Sequence, residues 1–242
     1  MLTLYRTGRY ETLGDVSPFV YRLETWLRMA EIPYESRILS VAGALKTAPR
    51  RMIPFIDLDG ERLGDSSLII NWLIDLHDDP LNDSRLSVEQ RNLGELIKTL
   101  CEHELFYIMT YGRWNDGDWV TFAHRVAHPV PGFLVSIMKG RIKKKAESML
   151  YNFRLGRFDQ EHIRKIFKEK LTQIDSFLDQ KPFLFGDEPS TYDAGLYAIL
   201  ASIVHFPLQN PHVEIARSHP GIVQYCDRIK ETYFPAEVWK DH

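Results

Sequence analysis

Two short runs carry the residue types most able to hold and activate a small polar molecule: Arg50-Arg51-Met52-Ile53-Pro54 and Asp65-Ser66-Ser67. Pro54 cannot donate to a strand ladder, and a proline at a strand start invites a cis bond in a tight turn. The residue before it, Ile53, would then present its N–H and C=O outward. An extended peptide could pair with them as an added strand. Ser66 stands where a helix begins, and a helix start offers free N–H groups and a positive dipole end to a carboxylate. The same residues also describe an ordinary hairpin followed by a capped helix.

Other constellations are weaker. His124 and His128 are spaced to share a helical face, but Pro129 follows at once and no third ligand stands at a matching offset. Two ligands do not close a zinc site, so no metal is expected. His103 lies between Glu102 and Glu104 and reads as surface, and Asp78-Asp79 reads as linker charge. Lys139 to Lys145 places five positive charges in seven residues. With a net charge of −3, this run is expected to be a solvated helix face rather than a nucleic-acid or membrane contact. Tyr111, Trp114, Trp119 and Phe122 could line an apolar acceptor pocket or fill a helical core.

The elements that must position these residues can be read in order. Leu2 to Tyr5 is a short strand, and Thr7 to Ser17 is a loop rich in glycine and small polar residues. Pro18 suits a first helical turn, and Phe19, Leu23, Trp26, Leu27 and Ala30 recur at helical spacing. A second strand runs from Tyr34 to Leu39, and a short helix is expected over Val41 to Ala48. Ile53 to Leu58, Asp59-Gly60 and Glu61 to Leu63 form a hairpin, and a helix follows from Ser66 to His77. Strand, helix, strand implies a right-handed crossover with parallel pairing. After the linker at 78–83 the strand signal ends. Leu93 to Leu100, Ile163 to Leu178, a helix behind Ser190-Thr191-Tyr192-Asp193, and another from Pro220 predict an all-helical remainder. Ser190 and Asp193 form a capping box with Asp in place of Glu.

The totals agree with a globular chain: 242 residues, 44% hydrophobic and 26% charged. Cys101 and Cys226 make no disulfide framework, and a reducing cytoplasm is the simplest home. The N-terminus has no signal-peptide pattern, and the apolar run from Ala194 to Phe206 is too short to span a bilayer.

Ile53-Pro54 and Asp65-Ser66 in one unit, joined to a helical unit with Ser190-Thr191-Tyr192-Asp193, resemble the cytosolic glutathione transferase fold. Within that superfamily the chain resembles the bacterial branch related to metaxins and failed axon connections. The matching residues are Ser17-Pro18-Phe19, Leu23 to Ala30, Ile32 to Glu35, Tyr111-Gly112-Arg113-Trp114, Lys181 to Asp187 and Arg228 to Phe234. The resemblance implies a thioredoxin-like α/β domain at 1–78 and an all-α domain at 87–242. It implies that Ile53 holds the cysteinyl part of glutathione before cis Pro54, and that Asp65 and Ser66 bind the γ-glutamyl end. Arg51 or Lys46 would meet the glycyl carboxylate, and Ser17 would face the sulfur, with Tyr10 and Thr12 as rival hydroxyls. A hydroxyl donating to sulfur at a helix N-terminus favours thiolate. Ser17 read alone is a plain cap before Pro18. The family implies glutathione as co-substrate, an apolar electrophile and a homodimer. The metaxin relationship leaves a non-catalytic adaptor as the alternative. The lack of cysteine near position 17 argues against reductase chemistry.

Overall fold

The computed structural model describes residues 1–8, 12–39, 43, 46–115, 121 and 143–235. Four strands lead the chain: β1 (Leu2–Arg6), β2 (Glu35–Ile38), β3 (Phe55–Leu58) and β4 (Glu61–Gly64). They form one sheet in the order β2-β1-β3-β4. β1 and β2 are parallel, with Leu4 opposite Ser36. β3 runs antiparallel to β1, with Leu4 opposite Ile56, and β4 antiparallel to β3, with Ile56 opposite Leu63. β2 is an exposed edge, and its polar sequence Glu-Ser-Arg-Ile suits that place. The β3–β4 turn holds Asp59 at φ 53° and Gly60 at φ 96°, the positive values that a two-residue hairpin with the right twist needs.

Helix α1 (Pro18–Met29) crosses between β1 and β2, as the parallel pairing demands, and α2 (Ser66–Leu76) follows β4. The helical remainder begins with α3 (Val88–Thr99), which passes through a wider π-helical turn at Leu100–Leu105 into α4 (Phe106–Trp114). Residues 143–152 are also helical. Then come α5 (Gln160–Leu178), α6 (Thr191–Val204), α7 (Pro211–Arg217) and α8 (Pro220–Tyr233). Periodicity anticipates α1, α2, α5, α6 and α8 to within a few residues. It does not anticipate the π turn, because Leu96, Ile97, Leu100 and Leu105 continue an ordinary apolar face.

One core runs through both halves. Leu4, Leu23, Trp26, Leu27, Ile56, Ile69 and Leu73 are buried between sheet and helices, and α6 is buried along nearly all its length. α1 packs directly on α6. Their interface is polar at chosen points: the Tyr21 and Tyr197 hydroxyls are 2.5 Å apart, and the Trp26 indole N–H donates to the Thr191 hydroxyl at 2.9 Å. Asp193 anchors the start of α6. It accepts from the Ser190 N–H (2.9 Å), the Ser190 hydroxyl (2.7 Å), the Leu184 N–H (2.7 Å) and the Tyr225 hydroxyl (2.9 Å). No helix among the described residues is long and apolar enough to cross a membrane.

Candidate functional site

Sheet register brings three segments to one end of the molecule. Tyr5 near the end of β1 pairs with Phe55 at the start of β3, and Phe55 pairs with Gly64 at the end of β4. Hence the loop after β1, the residues before β3 and the start of α2 share that edge. The first carries Ser17, the second Ile53-Pro54 and the third Asp65-Ser66.

The Ile53–Pro54 peptide is cis. Pro54 is buried, and its carbonyl accepts from the Asp65 N–H at 3.1 Å, which ties the second segment to the third. Among the described residues, neither the Ile53 N–H nor its C=O has a hydrogen-bond partner. β3 begins only at Phe55, so these groups lie beyond the ladder. Asp65 is the cap of α2, and one of its oxygens accepts from both the Ser67 N–H (2.9 Å) and the Leu68 N–H (3.1 Å). Its φ is 81°, a backbone region that side chains rarely adopt. Ser66 follows as the first helical residue. Among the described residues, its N–H and hydroxyl have no partner. Arg51 and Lys46 are both exposed nearby in sequence, and Arg51 also has a positive φ of 56°.

Ser17 is the cap of α1, and its hydroxyl oxygen accepts from the Val20 N–H at 3.5 Å, a long bond. The hydroxyl proton has no acceptor among the described residues. The Ser17 N–H donates to Asp15 at 2.9 Å. Asp15 is fully buried, and it also accepts from the Gly8 N–H (3.1 Å), the Arg6 guanidinium (3.3 Å) and the Thr7 hydroxyl. Arg6 continues to Glu24 at 3.1 Å, and Glu24 to Arg28 at 3.1 Å and the Tyr34 hydroxyl at 2.9 Å. Burial pushes the Asp15 carboxyl up from its ordinary value, against the pull of Arg6. Burial works against the Arg6 charge too, but Glu24 and Asp15 outweigh it and hold the guanidinium protonated. Burial and Glu24 push the Tyr34 hydroxyl up. Of the rival hydroxyls, Thr12 donates to the His205 carbonyl, and Tyr10 lies outside the described residues.

The helical half reaches this edge through two arginines that the composition alone would place at the surface. Arg22 of α1 is buried, and it donates to the Ser67 hydroxyl at 3.0 Å and to Glu102. It thereby fixes the start of α2 against the π turn. Arg113 of α4 donates to the Val16 carbonyl at 3.0 Å and to the Ser202 carbonyl at 2.9 Å. Beside Arg22, a crevice lined by Pro18, Phe19, Cys101, Glu102 and Ile199 is about the size of one water molecule.

Of the four aromatic residues expected to line an acceptor pocket, two are described. Tyr111 is a core side chain, 5% exposed, with its ring 6.0 Å from that of His212. Trp114 packs on the cluster of Leu13, Phe206 and Val213. Trp119 and Phe122 lie outside the described residues, as do His124 and His128. Spacing could not separate core from pocket, because both use aromatic side chains on a helix face. A different aromatic series starts two residues after Ser17. Phe19 meets Phe106 at 5.0 Å, Phe106 meets Tyr107 at 5.1 Å, and Tyr107 stacks on Phe153 at 3.5 Å. All four rings are partly exposed. Both cysteines are buried, and burial pushes the Cys101 thiol up to about 12, so neither offers a thiolate at neutral pH. In the basic run, Lys144 and Lys145 are exposed, and Lys143 lies 3.7 Å from Glu147.

Comparison with known proteins places this geometry. A glutathione S-transferase N-terminal domain model matches residues 18–119, and a glutathione S-transferase C-terminal domain model matches residues 167–229. The chain is 30% identical to failed axon connections of Drosophila melanogaster over 97% of its own length and 58% of that protein's. It is 28% identical to an isoprene-epoxide–glutathione S-transferase of a Rhodococcus strain, over 96% of this chain and 99% of that one. A metaxin-1 homolog of Caenorhabditis briggsae is 23% identical over 76% of this chain, which spans 58% of that relative. Among solved structures, a beta-etherase from a Sphingobium strain shares the fold with a TM-score of 0.62 at 16% identity, covering 99% of this chain and 97% of that one. The chain belongs to the glutathione S-transferase superfamily, in its metaxin-like branch.

Proposed function

We propose that this protein binds glutathione at the edge shared by Ile53-Pro54, Asp65-Ser66 and Ser17 and conjugates it to a small apolar electrophile. The observation that carries the reading is the set of unspent backbone and hydroxyl groups at one sheet edge. Ile53 offers an N–H and a C=O, and Ser66 an N–H and a hydroxyl, none of them partnered among the described residues. Buried or half-buried polar groups are normally paired, so such a set suits a peptide-like ligand. The γ-glutamyl carboxylate would accept from Ser66 at the positive end of α2, and the Asp65 carboxylate would face the amino group. Arg51 or Lys46 would meet the glycyl carboxylate.

The Ser17 hydroxyl then donates a hydrogen bond to the sulfur, stabilising thiolate that is scarce in water at neutral pH. An epoxide is the electrophile to test first, given the full-length relative named for one. Sulfur would attack a ring carbon, the carbon–oxygen bond would break, and the ring oxygen would take up a proton from water. The electrophile would lie along Phe19, Phe106 and Tyr107, next to Ser17. Holding both reactants in line accounts for most of the rate.

The test is a glutathione titration followed by melting temperature, then an epoxide conjugation assay. A ligand at a hundred times its Kd stabilises the fold by about 2.7 kcal/mol. No shift at millimolar glutathione sinks the proposal. Binding without turnover of any electrophile tried favours the second reading, a glutathione-binding adaptor, which the likeness to failed axon connections supports. A homodimer and a cytoplasmic location belong to the same reading, and elution mass on a sizing column tests the first.

A further inference from the structure

We propose that Arg113 is a positioning residue that reaches across from α4 to set where the Ser17 hydroxyl points. The inference rests on the reading above for its chemical consequence, though not for its geometry.

The segment before α1 is tied by backbone hydrogen bonds. The Val16 N–H donates to the Gly8 carbonyl at 3.2 Å, and the Ser17 N–H donates to Asp15 at 2.9 Å. The Val16 carbonyl lies outside the helix, since the first intrahelical acceptor is the Ser17 carbonyl, bonded by the Tyr21 N–H at 3.0 Å. The Arg113 guanidinium takes the Val16 carbonyl at 3.0 Å. Its other amine takes the Ser202 carbonyl in the last turn of α6 at 2.9 Å, and its plane sits 5.1 Å over the Phe206 ring. Phe206 packs in turn with Leu13 and Val16, on the same loop. One side chain therefore pins the residue before Ser17 to two elements of the helical half. The Val16–Ser17 peptide turns as a unit; Asp15 holds its N–H and Arg113 its C=O, so the two together fix the plane that carries the Ser17 Cα.

A lysine cannot do this. Its ammonium is a point charge, whereas the planar fork of arginine spans two carbonyls on two elements. Arg113→Lys keeps a long side chain and removes the span. Glutathione itself would be held by Ile53, Asp65 and Ser66, none of which Arg113 touches. The expected signature is thus a loss in turnover with glutathione affinity kept.

The experiment uses the whole chain as wild type, Arg113→Lys and, as a milder change that loosens the seat of the guanidinium, Phe206→Leu. Amide hydrogen exchange is followed in peptides covering residues 12–19 and 61–76. Glutathione Kd, epoxide turnover and the pH midpoint of bound thiolate absorbance are measured alongside. Both variants should exchange faster across 12–19 with 61–76 unchanged. Kd should stay within about twofold, while turnover falls about tenfold and the thiolate midpoint rises by about one unit, the two being the same effect. Unchanged exchange across 12–19 in both variants overturns the inference. So does faster exchange with turnover and thiolate midpoint unmoved, or a Kd that worsens in step with turnover. If wild type binds no glutathione, the functional reading falls, and the exchange data still decide whether Arg113 holds this loop.

Discussion

Two helix starts face the same edge of this molecule, and they are built in opposite ways. At α1 nearly every polar group is spoken for from within: Ser17 gives its N–H to Asp15, and Asp15 is backed by Arg6, Thr7 and Gly8. Behind that pair stand Glu24, Arg28 and Tyr34. At α2 a single carboxylate oxygen of Asp65 serves two N–H groups, and Ser66 keeps its own N–H and hydroxyl. A start that is satisfied by a buried carboxylate has little left for a ligand's charge. A start left partly open can take one. The proposed division of labour matches that contrast: α2 to hold an anionic group, α1 to present one hydroxyl rigidly. Substitutions at the two starts should therefore fail in different ways.

The largest effect is expected from Asp15→Ala. It strips four donors of their acceptor and leaves Arg6 with Glu24 as its remaining carboxylate. Removing one partner from a buried charge pair typically costs about 3–5 kcal/mol. Urea unfolding at neutral pH should show a loss of that order. A loss under about 1 kcal/mol would mean that the network is not what holds the start of α1 closed. Gly14→Ala should cost less, about 1–3 kcal/mol by overpacking. A methyl group there would stand 2.1 Å from a carbon of the Tyr21 ring, which is fully buried and has no room to yield.

At α2 the expected loss is in binding rather than folding. Ser66→Ala removes a hydroxyl that makes no internal bond among the described residues, so the unfolding midpoint should barely move. A hydrogen bond to a charged group is worth about 1.5–3 kcal/mol, so glutathione Kd should rise at least tenfold. Calorimetric titration reads it directly. An unchanged Kd together with a lowered midpoint would reverse the contrast and make Ser66 a structural residue.

Much of this edge can be read in the sequence because it is made of backbone chemistry. Proline before a strand, an Asp-Gly turn and small polar residues before an apolar helical run are local signals, and the structure places strands, hairpin and α2 where they point. The box at Ser190 and Asp193 is legible for the same reason. The closed start of α1 is not. Asp15, Arg6, Arg22 and Arg113 look like surface charges until the chain folds around them. Arg6 and Asp15 meet across nine residues, and the partners of Arg22 and Arg113 lie forty-five to ninety-seven residues away. Aromatic residues are ambiguous for another reason, since Tyr111 in the core and Phe19 near the candidate cleft both sit on helices that spacing reads alike.

The finest discrimination comes from Ser17→Ala, because here the two starts nearly meet. The Ser17 oxygen caps α1 only weakly, through one bond of 3.5 Å to the Val20 N–H. Losing a cap of ordinary strength costs about 1 kcal/mol, and this long one should cost less. The proton of the hydroxyl is a separate resource. If it donates to sulfur, its removal raises the pH at which bound glutathione ionises, and each unit of that rise lowers the thiolate fraction about tenfold below the midpoint. Glutathione affinity should hardly change, because the groups proposed to carry it belong to Ile53, Asp65 and Ser66. Turnover at neutral pH should fall about tenfold and recover as the pH is raised toward the new midpoint, since raising the pH restores the anion that the hydroxyl no longer favours. A deficit that stays constant with pH would mean that Ser17 only caps the helix, and that the sulfur finds its proton donor elsewhere. Thr12 is the less suited of the two rivals, its hydroxyl being given to the His205 carbonyl.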